Sequence, residues 1–347
     1  MSINKFIIVV ITFSILGCSE NVEKKNTLPV HKKTLSLKIE PTSLNENVLG
    51  IIYLKQMDSL TIASTFQEEH LYWVLEDEKV MANFGNIGKG PKEIAYPIHI
   101  YDTFKRNAFL YDSQLLQLSE IDIDKSMKSG KLEIVNQFEF PKELSGARDV
   151  FYINDKLITG IYDDNFSKRL NEKRGVFFYY QKSGTYELLE LNNIDLDPYE
   201  AMPATNINAK MPTLSPDRKR LAIASVHNPI LEIVDLERKK VKEFKLEGKE
   251  VIENYRLEDF KDGEATQYFT FAYSTVDHIY LLYKGYSENN TEEKPDFIKI
   301  YTWDGDPVGK YEIPFGYAIS SFYLNEEKGE LTGHSLENGK TFNFELR

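Results

Sequence analysis

From Leu35 onward, apolar and polar residues alternate with period two or gather in short apolar runs, and almost nothing sustains a 3.6-residue period. The pattern predicts an all-β chain. Ser183-Gly184, Asp262-Gly263, Asp304-Gly305 and Asn338-Gly339 place tight-turn residues between the runs, so consecutive strands are expected to meander. Tyrosine and phenylalanine, 21 of each, fall mostly inside the runs, as in Phe177-Phe178-Tyr179-Tyr180 and Tyr268-Phe269-Thr270-Phe271-Ala272-Tyr273. Rings placed this way suit the packing of one sheet on another.

The strand groups recur at about 45 residues, the length of a four-stranded propeller blade. Five units span about residues 48–84, 98–140, 147–191, 205–246 and 268–313, and a sixth, from Tyr317 to Leu346, supplies only three strands. The missing strand is assigned to residues 33–39, where Thr34-Leu35-Ser36-Leu37-Lys38-Ile39 alternates without a blade of its own. The expected fold is a six-bladed β-propeller over residues 34–347, closed by that N-terminal strand in the last blade. Such closure pairs sheet edges that otherwise stay open.

The first 17 residues follow another pattern. Lys5 precedes an apolar run, Phe6 to Gly17, too short to span a bilayer and ending in a small residue; these are the parts of a secretory signal peptide. Leu16-Gly17-Cys18 resembles the cleavage site of bacterial lipoproteins, which implies lipidation of Cys18 and a mature chain starting there. Residues 18–33, rich in Glu, Lys and Asn, read as a polar tether. Glu20 and Glu23 are similar to signals that send some Bacteroidota lipoproteins to the cell surface. The expected location is the bacterial cell envelope, with the outer membrane held through lipid on Cys18.

Cys18 is the only cysteine, so the body is expected to hold no internal disulfide and no thiolate site. A formal charge of -12 opposes the phosphate contacts that dominate nucleic-acid affinity, and no nucleic-acid partner is expected. Three segments then carry a family resemblance: Phe84-Gly85-Asn86-Ile87-Gly88-Lys89-Gly90-Pro91-Lys92-Glu93-Ile94, the Ser215-Pro216-Asp217 turn, and Tyr301-Thr302-Trp303-Asp304-Gly305-Asp306-Pro307-Val308. With the lipoprotein signal, the chain resembles the six-bladed TolB-like and NHL-like propeller lipoproteins of Bacteroidota. The resemblance implies a scaffold and a location, and no characterised activity. Arg218 stands where that family's S-P-D-G turn has glycine.

Gly85, Gly88 and Gly90 suggest a phosphate cradle only until their spacing is compared with G-x-G-x-x-G and G-K-[ST], neither of which occurs there. A structural crossover between blades is the better reading, with Lys89 as its residue of interest. The six histidines show no compact ligand spacing, and Gly333-His334-Ser335-Leu336-Glu337 departs from the nucleophile elbow at its last position. Acid pairs at Asp122 and Asp124, Asp163 and Asp164, and Asp195 and Asp197 read as solvated turns. No metal or cofactor is expected. Positions on inner strands and the loops entering them nominate Lys89, Tyr96, His99, Arg148, Asn206, Tyr268 and Tyr317 as ligand-binding residues. The leading expectation is a non-catalytic propeller binding a small molecule, glycan or protein at its funnel. The alternatives are a carbohydrate hydrolase or lyase, and a scaffold in an envelope complex.

Overall fold

A computed structural model describes residues 27–28, 34–35, 37–40, 42–67, 69–88, 90, 92–94, 98–163, 174–193, 195–196, 208–246, 248–251, 254–255, 265–287, 289, 294–326 and 328–346. Cys18 and its apolar run, Lys89, Tyr96 and Asn206 lie outside them. Six antiparallel sheets follow one another along the chain, each starting from its innermost strand. Blade 1 runs through Ile51–Met57, Leu60–Thr65, Glu69–Glu76 and Lys79–Asn86. Blade 2 comprises Asp102–Phe104, Asn107–Asp112, Gln117–Asp122 and Ile134–Glu139, and blade 3 Ala147–Asn154, Leu157–Asp163, Arg174–Tyr180 and Thr185–Glu190. Blade 4 is Lys210–Leu214, Arg220–Ser225, Ile230–Asp235 and Lys240–Leu246. Blade 5 is Thr266–Ser274, His278–Ser287, Phe297–Thr302 and Pro307–Glu312; blade 6 begins with Ser321–Asn325, Glu330–His334 and Thr341–Leu346. The all-β, six-bladed expectation holds.

The fourth strand of blade 6 is Leu37–Glu40, antiparallel to the C-terminal strand with Ile39 opposite Phe344. The alternating segment from Thr34 to Ile39 does not run as one strand, however. Thr34–Leu35 pairs in parallel with Lys310–Tyr311 at the outer edge of blade 5. Further upstream, Thr27–Leu28 pairs in parallel with Lys245–Leu246 of blade 4. Thr27–Leu28, inside the expected tether, thus pairs with the body, the rest of residues 18–33 lying outside the described residues; with Thr34–Leu35 and Leu37–Glu40, the described N-terminal strands meet the outer edges of three consecutive blades. One short helix, Ile123–Ser129, lies between two strands of blade 2, capped by Asp122 and ended by Gly130 at φ +67°. Seven residues are too few for a helical period to stand out in the sequence.

Apolar burial is distributed between blades rather than gathered in one centre. Six clusters of buried side chains sit one to each pair of neighbouring blades. This is what two-sided burial of twisted sheets stacked around an axis requires. The cluster between blades 6 and 1 is the thinnest, with seven buried residues and Tyr323 as blade 6's only buried contribution. Polar contacts supplement it: the Thr61 hydroxyl donates to the Tyr323 hydroxyl at 3.1 Å, and Glu78 of blade 1 accepts from the Asn343 side chain of blade 6.

Candidate ligand site in the central channel

All six innermost strands, or the residues flanking them, line a central cavity of about 900 Å³. Its end where the inner strands begin is termed upper here, and its end where they finish lower. On blade 1, Tyr53 and Lys55 both face the cavity, while Leu54 between them packs against blade 6, as the period of two demands.

The upper half carries an aromatic wall. Tyr53 stacks on His99 at 5.9 Å between ring centroids and meets Tyr101 at 5.1 Å and Phe271 at 6.2 Å; His99 meets Tyr101 edge-on at 5.6 Å. Burial holds the Tyr53 and Tyr101 hydroxyls protonated and lowers the pKa of His99, which favours its neutral form. The Nδ1 of His99 is buried without a hydrogen-bond partner among the described residues.

Against this wall stands Asp149. Its backbone is left-handed at φ +44°, inside a break in the register between blade 3's first two strands. Non-glycine residues adopt that conformation at a cost, and such strain concentrates at functional sites. The distortion fits because Gly160 lies alongside: a Cβ there would come within 2.9 Å of the Arg148 carbonyl oxygen and 3.0 Å of that of Asp149. The Asp149 carboxylate lines the cavity and accepts no hydrogen bond from any described residue. Burial pushes its pKa up to about 6, with Arg148 opposing.

Toward the lower end an ion pair explains Arg218. In the Ser215-Pro216-Asp217 turn, Arg218 takes the left-handed φ of +59° that glycine would supply, and its N–H donates to the Ser215 carbonyl at 2.8 Å. The side chain crosses from blade 4 to blade 2. There it binds Asp102 bidentately, at 3.0 and 2.9 Å, and donates to the carbonyls of Thr103 and Tyr152. Its guanidinium also lies 4.4 Å from the Phe104 ring centroid. Lys55 faces this pair from blade 1. Its ammonium has no ion pair within 4 Å among the described residues, and burial lowers its pKa, opposed by Asp102 and reinforced by Arg218.

Of the nominated residues, His99 and Arg148 line the channel. Arg148 is already bound to Asp163, which Arg174 also holds at 3.1 Å. Tyr268 does not reach the channel: it is buried between blades 4 and 5, facing Tyr283. Tyr317 packs edge-on against Phe342 and Phe344 of blade 6. Both serve core packing, because their side chains point between blades.

The glycine loop holds one of its own side chains. Gly90 donates its N–H to the Glu93 carboxylate at 2.7 Å, and a Cβ on Gly88 would come within 2.0 Å of that carboxylate. Gly88 and Ile94 close the loop through backbone bonds, so the glycines wrap Glu93 in a structural crossover. Three of the acids singled out earlier are likewise occupied: Asp122 caps the short helix, Asp124 binds Arg106, and Asp163 holds its two arginines, while Asp164 and Asp197 lie outside the described residues. Among the described residues, no group of three or more His, Cys, Asp or Glu is arranged to hold a metal ion.

Sequence reasoning missed Tyr53, Lys55, Tyr101, Asp102, Asp149 and Phe271. Two signals pointed to them. Lys55 is a charge inside a strand that is otherwise apolar but for Gln56, and Gly160 is a mid-strand glycine of the kind that marks close backbone approach.

No family model and no curated protein sequence matches the chain. Solved structures do. A member of the DUF4221 family from Bacteroides vulgatus superposes with a TM-score of 0.59 at 11% identity, covering 91% of this chain and 99% of its own. A Bacteroides fragilis protein whose name describes it as exported gives 0.56 at 10% identity, covering 93% and 98%. At this identity the likeness establishes the propeller fold.

Proposed function

We propose that this chain is a non-catalytic propeller of the cell envelope, anchored through lipid on Cys18, that binds a small molecule in its central channel. The observation that carries the reading is Asp149, a strained carboxylate without a protein partner, set among aromatic rings in a cavity of about 900 Å³. A half-buried carboxylate without a protein partner is incompletely solvated, and a ligand cation supplies the missing partner. The cavity lies within the range of small-molecule sites. The export signal supports the envelope location, as does the name of the Bacteroides fragilis neighbour.

Binding is favoured over carbohydrate hydrolysis by the state of the acids. Three carboxylates line the channel among the described residues: Asp102 is held by Arg218, Asp58 sits exposed at the lower rim, and Asp149 stands in the upper half. Glycoside hydrolysis ordinarily needs two available carboxyl groups facing each other across one scissile bond, whereas the two that are free of an arginine, Asp58 and Asp149, lie at opposite ends of the channel. The test is a thermal-shift screen of the detergent-solubilised full chain against glycans and small polar metabolites, repeated with Tyr53→Ala. The reading expects at least one compound that stabilises the parent protein and loses its effect in the variant. Stabilisers that act equally on both would place binding outside the channel and refute it.

A further inference from the structure

Resting on that reading, we propose that the channel selects a small zwitterion, with an organic ammonium seated between Asp149 and the Tyr53, Tyr101 and Phe271 rings and an anionic group turned to Lys55. Two unsatisfied charges of opposite sign face one cavity. Asp149 has no described hydrogen-bond donor, and the Lys55 ammonium has no carboxylate within 4 Å because Arg218 already occupies Asp102. Both side chains are half-buried, so a neutral ligand filling the channel would displace their water and leave both unpaired, an outcome that desolvated charges penalise.

The surroundings of each charge assign its end of the ligand. Tyr53 joins Tyr101 and Phe271 with centroids 5.1 and 6.2 Å away, and ring faces attract cations, most strongly where water is excluded. His99, stacked on Tyr53, favours its neutral form and so adds little competing positive charge there. Arg148 is the nearby cation, and Asp163 engages it. Around Lys55 the opposite holds: Arg218, Lys55 and Lys105 outweigh Asp102 and the rim residue Asp58 by one charge, leaving a net positive lower channel among the described residues. Tyr53 and Lys55 are alternate residues of one strand, so the two ends are about 7 Å apart along the axis. That spacing suits a compact molecule carrying both charges, with a carboxylate or a phosphate as its anion.

The test is calorimetric titration of the full chain in detergent with γ-butyrobetaine, tetramethylammonium, butyrate and glucose, using parent protein, Asp149→Asn and Lys55→Met. The expected result is that γ-butyrobetaine binds the parent most tightly and weakens at least about tenfold in each variant. Tetramethylammonium should weaken only in Asp149→Asn, and butyrate only in Lys55→Met. Equal γ-butyrobetaine affinity in all three proteins overturns the proposal. So does binding of glucose alone, although glucose binding abolished by Tyr53→Ala would leave the channel as a ligand site. If none of the four binds the parent, the zwitterion assignment falls, and the wider screen decides separately whether the channel binds at all.

Discussion

Asp149 costs the folded chain stability, and the direction of its titration shows when. Its folded pKa, about 6, lies above the ordinary value of 3.8, so the folded state binds the proton more tightly than the unfolded state. As pH rises from about 4 through 6, folding must increasingly accommodate an unpaired anion, and stability falls. The groups facing the carboxylate are Arg148, Tyr53 and Tyr101; burial keeps both tyrosines protonated throughout this window. Asp149→Asn should therefore stabilise the protein at pH 8 by about 1–2 kcal/mol, discounted for the open face of the channel. Asparagine also tolerates the left-handed backbone. Urea midpoints measured at pH 8 and pH 4 check this: the gain should be present at pH 8 and largely gone at pH 4. A variant less stable than its parent at pH 8 would mean that Asp149 has a structural partner. None of this was legible from the sequence, where Asp149 is one acid among many. Arg148 lines the channel from blade 3's inner strand and His99 from the segment three residues ahead of blade 2's, both positions that strand order indicates, whereas a one-residue break in register decides where Asp149 points.

At the scale of elements, the turn after blade 4's inner strand shows how a departure from a motif becomes a structural device. Glycine at position 218 would satisfy the backbone, but only arginine spans the lower channel to Asp102. Arg218→Gly should relieve the turn and still destabilise by about 3–5 kcal/mol, because it strands a buried carboxylate. Adding Asp102→Asn should recover part of that loss in the same unfolding measurement, and no recovery would show that the two residues act independently. The N-terminal strand makes a second case. Alternation identified it, and it does complete blade 6, yet its first two residues pair with blade 5. Periodicity reports which residues face a core, but not which of two adjacent edges accepts them. Leu35, Leu37 and Ile39 all pack into the cluster between blades 5 and 6. A chain begun at Thr42 should therefore melt roughly 5–10 °C below one begun at Thr34; equal melting temperatures would deny the strand its closing role.

For the whole molecule, blade number was readable because four short strands and their turns repeat at a fixed period, and stacking such units buries both faces of each sheet. The channel's chemistry was not, because it is assembled from residues more than 200 positions apart, such as Tyr53 and Phe271. The same closure that brings those rings together leaves its thinnest apolar seam between blades 6 and 1, next to Tyr53. The central claim is that the channel between Tyr53 and Lys55 is a ligand site. A crystal structure of the protein soaked with γ-butyrobetaine tests it most directly. The account predicts ligand density inside the channel, with the ammonium beside Asp149 and within about 6 Å of the Tyr53 ring centroid, and the carboxylate at Lys55. An empty channel, with ligand density on the outer faces of the blades, would contradict it.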